Sequence, residues 1–264
     1  MEQEATIRLA VFIGLFALFA GLETLAPRRI RTQPRRTRWV TNWGITILNT
    51  ITLRALALAL PLLAVGAALD AQAQGWGLMN AFGLPLWLAV ILTVLIFDFA
   101  IWLQHLITHK IPVLWRFHRV HHADRDIDVT TAIRFHPVEI ALSMVLKIGL
   151  VYLLGPPALG IIVFEIILNG TAIFNHANMR LPLGLDALLR RFLVTPDMHR
   201  VHHSDNRAEH DSNYGFALSI WDRLFGTYVA QPARGHDSMT IGLQWQDDRP
   251  SKLGWSLWLP FRRN

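Results

Sequence analysis

The sequence predicts an all-α integral membrane protein, because of its composition and the length of its apolar segments. Of the 264 residues, 52% are hydrophobic and only 17% are charged, whereas about a quarter of the residues are charged in an ordinary soluble domain. The mean hydropathy of +0.32 also favours lipid as the surroundings of much of the chain. We therefore expect about four membrane helices or hairpin arms beneath a helical cap.

Four apolar segments predict the membrane-embedded helices, because runs of about 20 apolar residues are long enough to span a bilayer. The fourth is too long for one straight span, and the break at Gly155 and Pro156 predicts two shorter helices that enter and leave on one side. The first begins with acidic residues and no clear cleavage site follows it, so we interpret it as a retained anchor. The segments are Leu9–Leu25, Ile45–Leu69, Leu84–Leu106 and Val138–Phe174.

A run of six arginines between Arg28 and Arg38 predicts which side of the membrane the loops occupy. Beside a span, such a run marks the cytoplasmic face and anionic lipid headgroups more often than nucleic acid, so we expect no nucleic-acid partner. Tracing the spans onward brings the end of the third segment and both ends of the fourth to that face. No span-length segment follows Asn175, and the remaining chain predicts a polar cap there.

The 12 histidines are the residues most informative about function, since eight of them lie in three short clusters. The chain has no cysteine, which excludes thiolate metal ligands and iron–sulfur clusters held by the chain itself. The second and third clusters share the string His-Arg-Val-His-His. The clusters are His105 with His109, then His118 with His121 and His122, and finally His199 with His202 and His203.

The spacing within each cluster is that of metal ligands on a helix. Residues four apart share a helical face, so His105 and His109 can present two imidazoles to one ion. In the shared string, the first histidine lies on the face of the last two, which diverge by about 100° and can turn toward different ions. Eight imidazoles exceed the roughly four to six ligands of one ion, so we predict two metal ions. Imidazole favours Fe, Zn, Cu or Ni, and the spacing does not choose among them.

Other interpretations of the histidines are weaker. A single histidine near a membrane surface is usually solvated or hydrogen-bonded, but eight at ligand spacing favour a metal site. A membrane zinc hydrolase would carry a glutamate beside its ligands, yet Leu106 and Arg119 follow the first histidines of their clusters. The alternative that we keep is a membrane metal-binding or transport protein without redox catalysis. It would place polar residues midway through several spans, whereas these histidines gather at span ends.

The clusters and the residues around them resemble the fatty acid hydroxylase/sterol desaturase superfamily of membrane di-iron oxygenases. The resemblance extends over about Phe97 to Tyr228, and the one departure is Leu106, where many relatives carry arginine. The family motifs HxxxH, HxxHH, a further histidine and HxxHH correspond to His105–His109, His118–His122, His176 and His199–His203. Similar flanking strings are Leu114–His122, Arg134–Glu139 and Asn213–Tyr228.

The resemblance implies that His176 and the eight clustered histidines hold two iron ions. It also implies that the iron activates O₂ to hydroxylate or desaturate a C–H bond of a sterol-like or fatty-acyl lipid at the membrane–cytoplasm boundary. No flavin or haem motif is visible. We therefore expect an external electron donor, such as a reductase with ferredoxin or a cytochrome b5-like protein.

Several polar residues are candidates to support the ligands. Asp98 lies seven residues before His105, two turns away on one helical face, and could accept the second N–H of a ligand histidine. A buried, hydrogen-bonded aspartate is the alternative. His136 could be a further ligand, a supporting group or a loop cap. Other candidates for a supporting role are Asp197, Asp205, Asp211 and Asn213, and less so His210 and His236.

We predict one membrane-embedded domain over residues 1–264. Residues 1–83 would form the N-terminal membrane helices, residues 84–230 the di-iron catalytic region, and residues 231–264 a C-terminal tail. The resemblance and the arginine run together predict a multi-pass protein of a bacterial inner membrane, with the histidine site facing the cytoplasm.

Overall fold

The computed structural model describes residues 2–59 and 63–262, and four of its helices are long and apolar enough to cross a membrane. Their mean hydropathy lies between 1.8 and 2.5. They confirm the prediction of an all-α integral membrane protein, and the described ranges contain no β-strand. The four spans are Glu4–Leu25, Leu86–Lys110, Pro137–Leu154 and Ala158–His176.

The described residues form fourteen α-helices, which we number in chain order, and three short 3₁₀ turns. Helices α1 to α8 are Glu2–Leu25, Arg35–Ala59, Ala64–Gln74, Leu78–Ala81, Leu86–Lys110, Pro112–His122, Pro137–Leu154 and Ala158–His176. Helices α9 to α14 are Leu183–Leu189, Pro196–His202, Arg207–His210, Ile220–Leu224, Gly235–Ser238 and Leu253–Trp258. The 3₁₀ turns are Thr131–Ile133, Arg249–Ser251 and Leu259–Phe261.

The second apolar segment is not one continuous helix, so the prediction of a single span over Ile45–Leu69 is wrong. The segment is divided between α2 and α3, and its residues 60–62 lie outside the described part of the chain. The first half of α2 is polar, and its Arg38 and Asn42 are buried against the loop that follows α6. α3 packs against α7 and α8 through small side chains, which allow helices to approach closely. These are Ala64, Ala67, Ala68 and Ala71.

The fourth apolar segment forms the predicted hairpin of α7 and α8. Gly155 ends α7 with φ of 61°, in the left-handed region, and Pro157 precedes α8. The open end of the hairpin lies at the histidines, since Glu139 near the start of α7 contacts His118 and α8 ends at His176. At the closed end, Gly77 in the link after α3 packs directly on the backbone of Gly155.

The core of the membrane part lies between α3, α5, α7 and α8. Phe97 and Ile101 of α5 pack against Phe164 of α8 and Met144 of α7. α1 lies on the other side of α8, where the rings of Phe19 and Phe174 are 5.5 Å apart. The short helices after His176 form the cap over one end of this bundle, so the histidines of α5, α6, α8 and α10 lie between bundle and cap.

The arginine run between α1 and α2 is held within the protein. Five of its six arginines bind carboxylates or carbonyl oxygens of other segments, which contradicts the interpretation of a solvated run facing lipid headgroups. The charge pattern could not reveal the partners of Arg28, Arg29 and Arg38 because they are remote in sequence. The pairs are Arg28–Asp197, Arg29–Met239 carbonyl, Arg31–Glu23, Arg35–Glu23 and Arg38–Asp124.

Candidate metal centre

The last turns of α5 and the whole of α6 position the first two clusters. Pro112 lacks an N–H and has a fixed φ, so it starts a new helix directly after the end of α5. α6 then packs beside the end of α5. His105 and His109 of α5 are buried, and His118 of α6 lies with Nε2 only 2.9 Å from Nε2 of His105.

α10 and the end of α8 bring the remaining histidines to the same place. Thr195 caps the N-terminus of α10 by accepting a hydrogen bond from the Met198 N–H. This short helix presents His199 and His202, with His203 directly after it. His176, the last residue of α8, is fully buried beside His199, with 3.1 Å between their Nε2 atoms.

The nine histidines form two buried groups, and in each group one ring nitrogen of every histidine lies within 4.8 Å of those of the others. Neighbouring histidines of the shared string diverge as expected: the rings of His121 and His122 are inclined by 85°, and those of His202 and His203 by 81°. The first group contains His105, His109, His118, His122 and His202. The second contains His121, His176, His199 and His203.

The protonation pattern of the first group fits a cation at its centre. Nδ1 of His105 lies 2.7 Å from the Tyr214 carbonyl, and Nδ1 of His202 lies 2.6 Å from the Ser212 carbonyl. A carbonyl only accepts, so each Nδ1 carries the proton and each Nε2 keeps a lone pair. Yet these two Nε2 atoms are 3.0 Å apart. Facing lone pairs at this distance repel, and a metal ion between them removes the repulsion.

The Nε2 separations also fit ligands of a common ion. Two nitrogens about 2.1 Å from one ion lie about 3.0 Å apart at a right angle and about 3.4 Å apart at the tetrahedral angle. The shortest separations run from 2.9 to 3.2 Å in the two groups, which is the range expected for two ligands of one ion.

Burial favours the neutral form of five clustered histidines outside the membrane spans, and metal ligands must be neutral. Burial lowers their pKa well below the ordinary imidazole value, and neighbouring histidines lower it further. Both ring nitrogens of His203 are buried without a hydrogen-bond partner among the described residues, which is costly unless a ligand binds there. The residues with lowered pKa are His121, His122, His199, His202 and His203.

Glu139 is a supporting residue that the motif argument did not assign. Its Oε1 lies 2.6 Å from Nδ1 of His118, so the carboxylate accepts the ring proton and directs Nε2 into the first group. A glutamate three residues after His136, at the start of a membrane helix, was the available sequence signal. The carbonyls of Ser212 and Tyr214 do the same for two other rings, and backbone acceptors leave no trace in the sequence.

Two of the predicted supporting residues have other partners. Asp98 accepts hydrogen bonds from the Leu218 N–H and from Trp221 Nε1, at 3.3 and 2.8 Å. It holds the cap segment against α5, and the proposed contact with a ligand histidine is therefore not formed. His136 caps α7 through Nδ1, which accepts from the Val138 N–H. His136 is thus the loop cap among its three predicted alternatives.

The other candidates lie around α10. Asp197 pairs with Arg28, 3.3 Å away, and with Arg200, and contacts no ligand histidine. Asn213, with φ of 51°, donates to the carbonyls of Met198 and Val229 and so ties α10 to the cap loop. Its neighbours in sequence supply the two carbonyls that orient His105 and His202. Asp211 lies 3.5 Å from Nδ1 of His109.

The remaining three candidates are not in either group. His210 stacks on Trp115 at 5.4 Å between ring centroids, and Trp115 in turn contacts His109. His236 lies 3.7 Å from Asp197, and burial lowers its pKa to about 4. Asp205 is exposed and lines a polar cleft of about 570 Å³ on the cap, which reaches His109.

A second cavity connects the first group to the membrane spans. It has a volume of about 380 Å³ and runs between α1, α2, α5, α7 and α8. His105, His118 and Glu139 line one end, apolar side chains such as Ile101 and Met144 line its middle, and the other end lies deeper among the spans. The candidate metal centre is therefore accessible from an apolar cavity on one side and a polar cleft on the other.

A model of the fatty acid hydroxylase family matches residues 90–227, which contain all nine histidines. The chain belongs to the fatty acid hydroxylase family. Membership confirms the resemblance that the histidine motifs indicated. It does not test which histidines bind metal, so the nine ligands remain a prediction.

Three curated relatives each match a little over half of this chain. An ornithine lipid hydroxylase from Rhizobium tropici is 33% identical over 56% of this chain and 44% of its own length. Alkylglycerol monooxygenase from Homo sapiens is 31% identical over 59% of this chain and 34% of its own. A fatty acid hydroxylase from a Lecanicillium species is 31% identical, over 53% and 42% respectively. The chain thus spans less than half the length of each, and no solved structure matches it significantly.

Proposed function

We propose that this member of the fatty acid hydroxylase family hydroxylates a C–H bond of a lipid, using O₂ and two iron ions. The observation that carries the proposal is the pair of buried imidazole groups at the end of a cavity that enters the membrane spans. All three relatives above have hydroxylase or monooxygenase names. Those names favour hydroxylation over the desaturation that the sequence left open.

The bound iron would supply O₂ activation and attack on the C–H bond. The nine histidines would hold it: five imidazoles in the first group and four in the second. Glu139, through His118, and the carbonyls of Ser212 and Tyr214 fix the ring orientations. Fixed rings keep the ligand geometry constant while the metal changes its oxidation state.

The protein contributes the position of the lipid and the exclusion of bulk water. The wall of the cavity near the imidazoles is apolar, with Phe216 beside the His105 ring and Phe135 beside the His118 ring. A hydrocarbon chain lying there would present a C–H bond next to the first imidazole group. An apolar wall also keeps water away from reactive species formed at that place.

The reaction needs an electron source outside this chain. Hydroxylation converts R–H, O₂, two electrons and two protons into R–OH and water. An external protein donor of the ferredoxin or cytochrome b5-like class, with its reductase, would supply the electrons. The polar cleft that reaches His109 on the cap is the side from which such a donor would come closest to the imidazoles.

The distribution of positive charge supports a cytoplasmic position for the site, in a bacterial inner membrane. The links at the far end of the bundle, residues 75–85 and 155–157, contain no lysine or arginine. Lys110, Arg116 and the arginine run all lie at the histidine end. Because lysine and arginine are retained on the cytoplasmic side, this end would face the cytoplasm. We treat the chain as one domain, with residues 84–230 as its catalytic region; the family match lies inside it.

Oxygen labelling tests the proposal directly. Cells that produce the chain, and cells that produce its His202→Ala variant, are grown under isotope-labelled O₂, and their lipids are compared by mass spectrometry. We expect a labelled lipid only with the native chain, and iron in the purified protein. Unlabelled lipids together with bound zinc would contradict an oxygenase and favour the metal-binding alternative.

A further inference from the structure

Three charged side chains of the membrane spans line the end of the cavity remote from the histidines. They are Arg8 of α1, Lys147 of α7 and Glu165 of α8. None of them contacts an imidazole group. Charged residues within a span are costly and are usually retained for binding or transport, so this charged end needs a role that the metal centre does not provide.

The contacts of this cluster leave donors unused. Lys147 Nζ lies 3.1 Å from Oε1 of Glu165, and Arg8 pairs with the other oxygen of Glu165. Within the described residues, Glu165 is the only hydrogen-bond partner of Lys147, although an ammonium group has three N–H donors. Two donors of a mostly buried lysine, 14% exposed, therefore have no partner among these residues at the wall of the cavity.

The charges of this end balance, because Arg8 and Lys147 pair with two carboxylates, Glu165 on the cavity wall and Glu4 outside it. In surroundings of low dielectric constant, the N–H donors of Lys147 that have no partner among the described residues still attract an acceptor oxygen. A carboxylate or an acyl carbonyl oxygen matches this requirement, and a pure hydrocarbon does not.

The cavity also sets a distance. Lys147 lies eight residues after Glu139 on α7, and a rise of about 1.5 Å per residue separates them by about 12 Å along the helix. The side chains between them that face the cavity are Ile140, Ser143 and Met144, two of which are apolar. A ligand that spans this cavity thus needs a polar end and an apolar chain at least that long.

We propose that Lys147 and Arg8 bind the carboxylate or acyl carbonyl of a lipid, and that its chain extends along the cavity toward His105 and His118. The substrates would then be acyl lipids oxidised at a carbon remote from the carbonyl, about 12 Å away. The assignment of substrates rests on the proposed function, but the binding site does not.

Equilibrium binding to the purified full-length protein with its metal, without reductant, tests the site. Palmitate, methyl palmitate and hexadecane compete with a fluorescent fatty acid. We expect native protein to bind palmitate about tenfold more tightly than hexadecane, with methyl palmitate between them. Lys147→Met should remove this order, Lys147→Arg should keep it, and Arg54→Met, on the exposed face of α2, should not change it.

The outcomes separate the possibilities. If native protein prefers palmitate and methyl palmitate equally over hexadecane, and Lys147→Met loses this preference, the bound group is the acyl carbonyl of a membrane lipid. Equal binding of all three compounds by native protein, or an unchanged order in Lys147→Met, overturns the proposal and leaves a structural ion pair.

A second variant covers the case in which Lys147→Met does not fold. Met144→Trp fills the middle of the cavity and should lower the affinity for all three compounds, whereas unchanged affinity would place their binding site elsewhere. Because no turnover occurs, failure of the oxygenase proposal leaves these results intact.

Discussion

Nδ1 of His118 lies 2.6 Å from Oε1 of Glu139, and this contact fixes which nitrogen of the ring faces the first imidazole group. The carboxylate accepts the Nδ1 proton, so Nε2 presents its lone pair toward Nε2 of His105, 2.9 Å away. Glu139 belongs to the hairpin and His118 to α6, so the contact also couples the membrane part to the metal centre.

Replacing Glu139 should weaken metal binding without removing a ligand. We expect Glu139→Ala to lower the metal affinity of the first group by about 10- to 100-fold, since loss of a supporting partner usually has that effect. Glu139→Gln keeps an acceptor oxygen and should lose less. Metal content after dialysis against a competing chelator measures the difference. Asp247→Asn, an exposed carboxylate on the cap paired with Arg249, is the control, and equal metal loss in it would contradict the role of Glu139.

Neighbouring histidines in the sequence should serve different ions. His121 belongs to the second group, whereas His122 and His202 belong to the first. The double variant His122→Ala/His202→Ala should therefore retain about one ion per chain, and His121→Ala/His122→Ala should retain almost none. Elemental analysis of the two purified double variants measures the number of metal ions that each retains. Equal metal content in both would indicate that the nine imidazoles act as one cluster and not as two groups.

The clustered histidines could be predicted better than the residues that orient their rings. The clusters follow from spacing within a helix, whereas the orienting residues depend on contacts between remote segments. Helical periodicity makes His121 and His122 diverge, so spacing alone predicted that adjacent histidines can turn toward different ions, but it did not predict which of the two lies with His118. The partners that orient the rings come from remote segments or from the backbone, as with Tyr214 and its carbonyl. For Asp98, periodicity gave the correct helical face, but the cap segment at Leu218 and Trp221 competes for its oxygens.

The membrane helices could be predicted where the length of an apolar segment determines the structure. They could not be predicted where contacts between polar side chains determine it. Gly155 and the prolines after it break the fourth segment as expected. The second segment is divided between α2 and α3, and Arg38 and Asn42 hold the start of α2 against the loop after α6. The residues of these buried pairs are separated by more than 80 positions, and hydropathy contains no information about such contacts.

Arg38 should be essential for stability. It is fully buried, with Nε 2.7 Å from Asp124 and Nη1 2.6 Å from Asp128. Burial by itself raises the pKa of Asp124, but the charge of Arg38 outweighs burial and the pKa falls to about 2. Arg38→Met would leave two buried carboxylates without their cation, so we expect a loss of about 3–5 kcal/mol in unfolding free energy.

Thermal unfolding in detergent measures this loss. Arg36→Met is the matched control, because Arg36 is an exposed arginine of the same run; its effect should stay within about 0.5 kcal/mol. Similar melting temperatures for the two variants would show that the pairs of Arg38 contribute nothing beyond those of an exposed arginine.

Gly77 should tolerate no side chain, because it packs on the turn of the hairpin. A Cβ atom there would lie 2.1 Å from the backbone nitrogen of Gly155, and its φ of 93° disfavours any other residue. We expect Gly77→Ala to lower the unfolding free energy by about 1–3 kcal/mol, as overpacking does. Gly149 of α7 has no atom within 4 Å of such a Cβ, so Gly149→Ala should be neutral or stabilising by up to about 1 kcal/mol. Since the turn lies at the end of the bundle opposite the histidines, metal content should stay unchanged in both variants. A melting temperature of Gly77→Ala equal to that of Gly149→Ala would mean that the two links do not pack this closely.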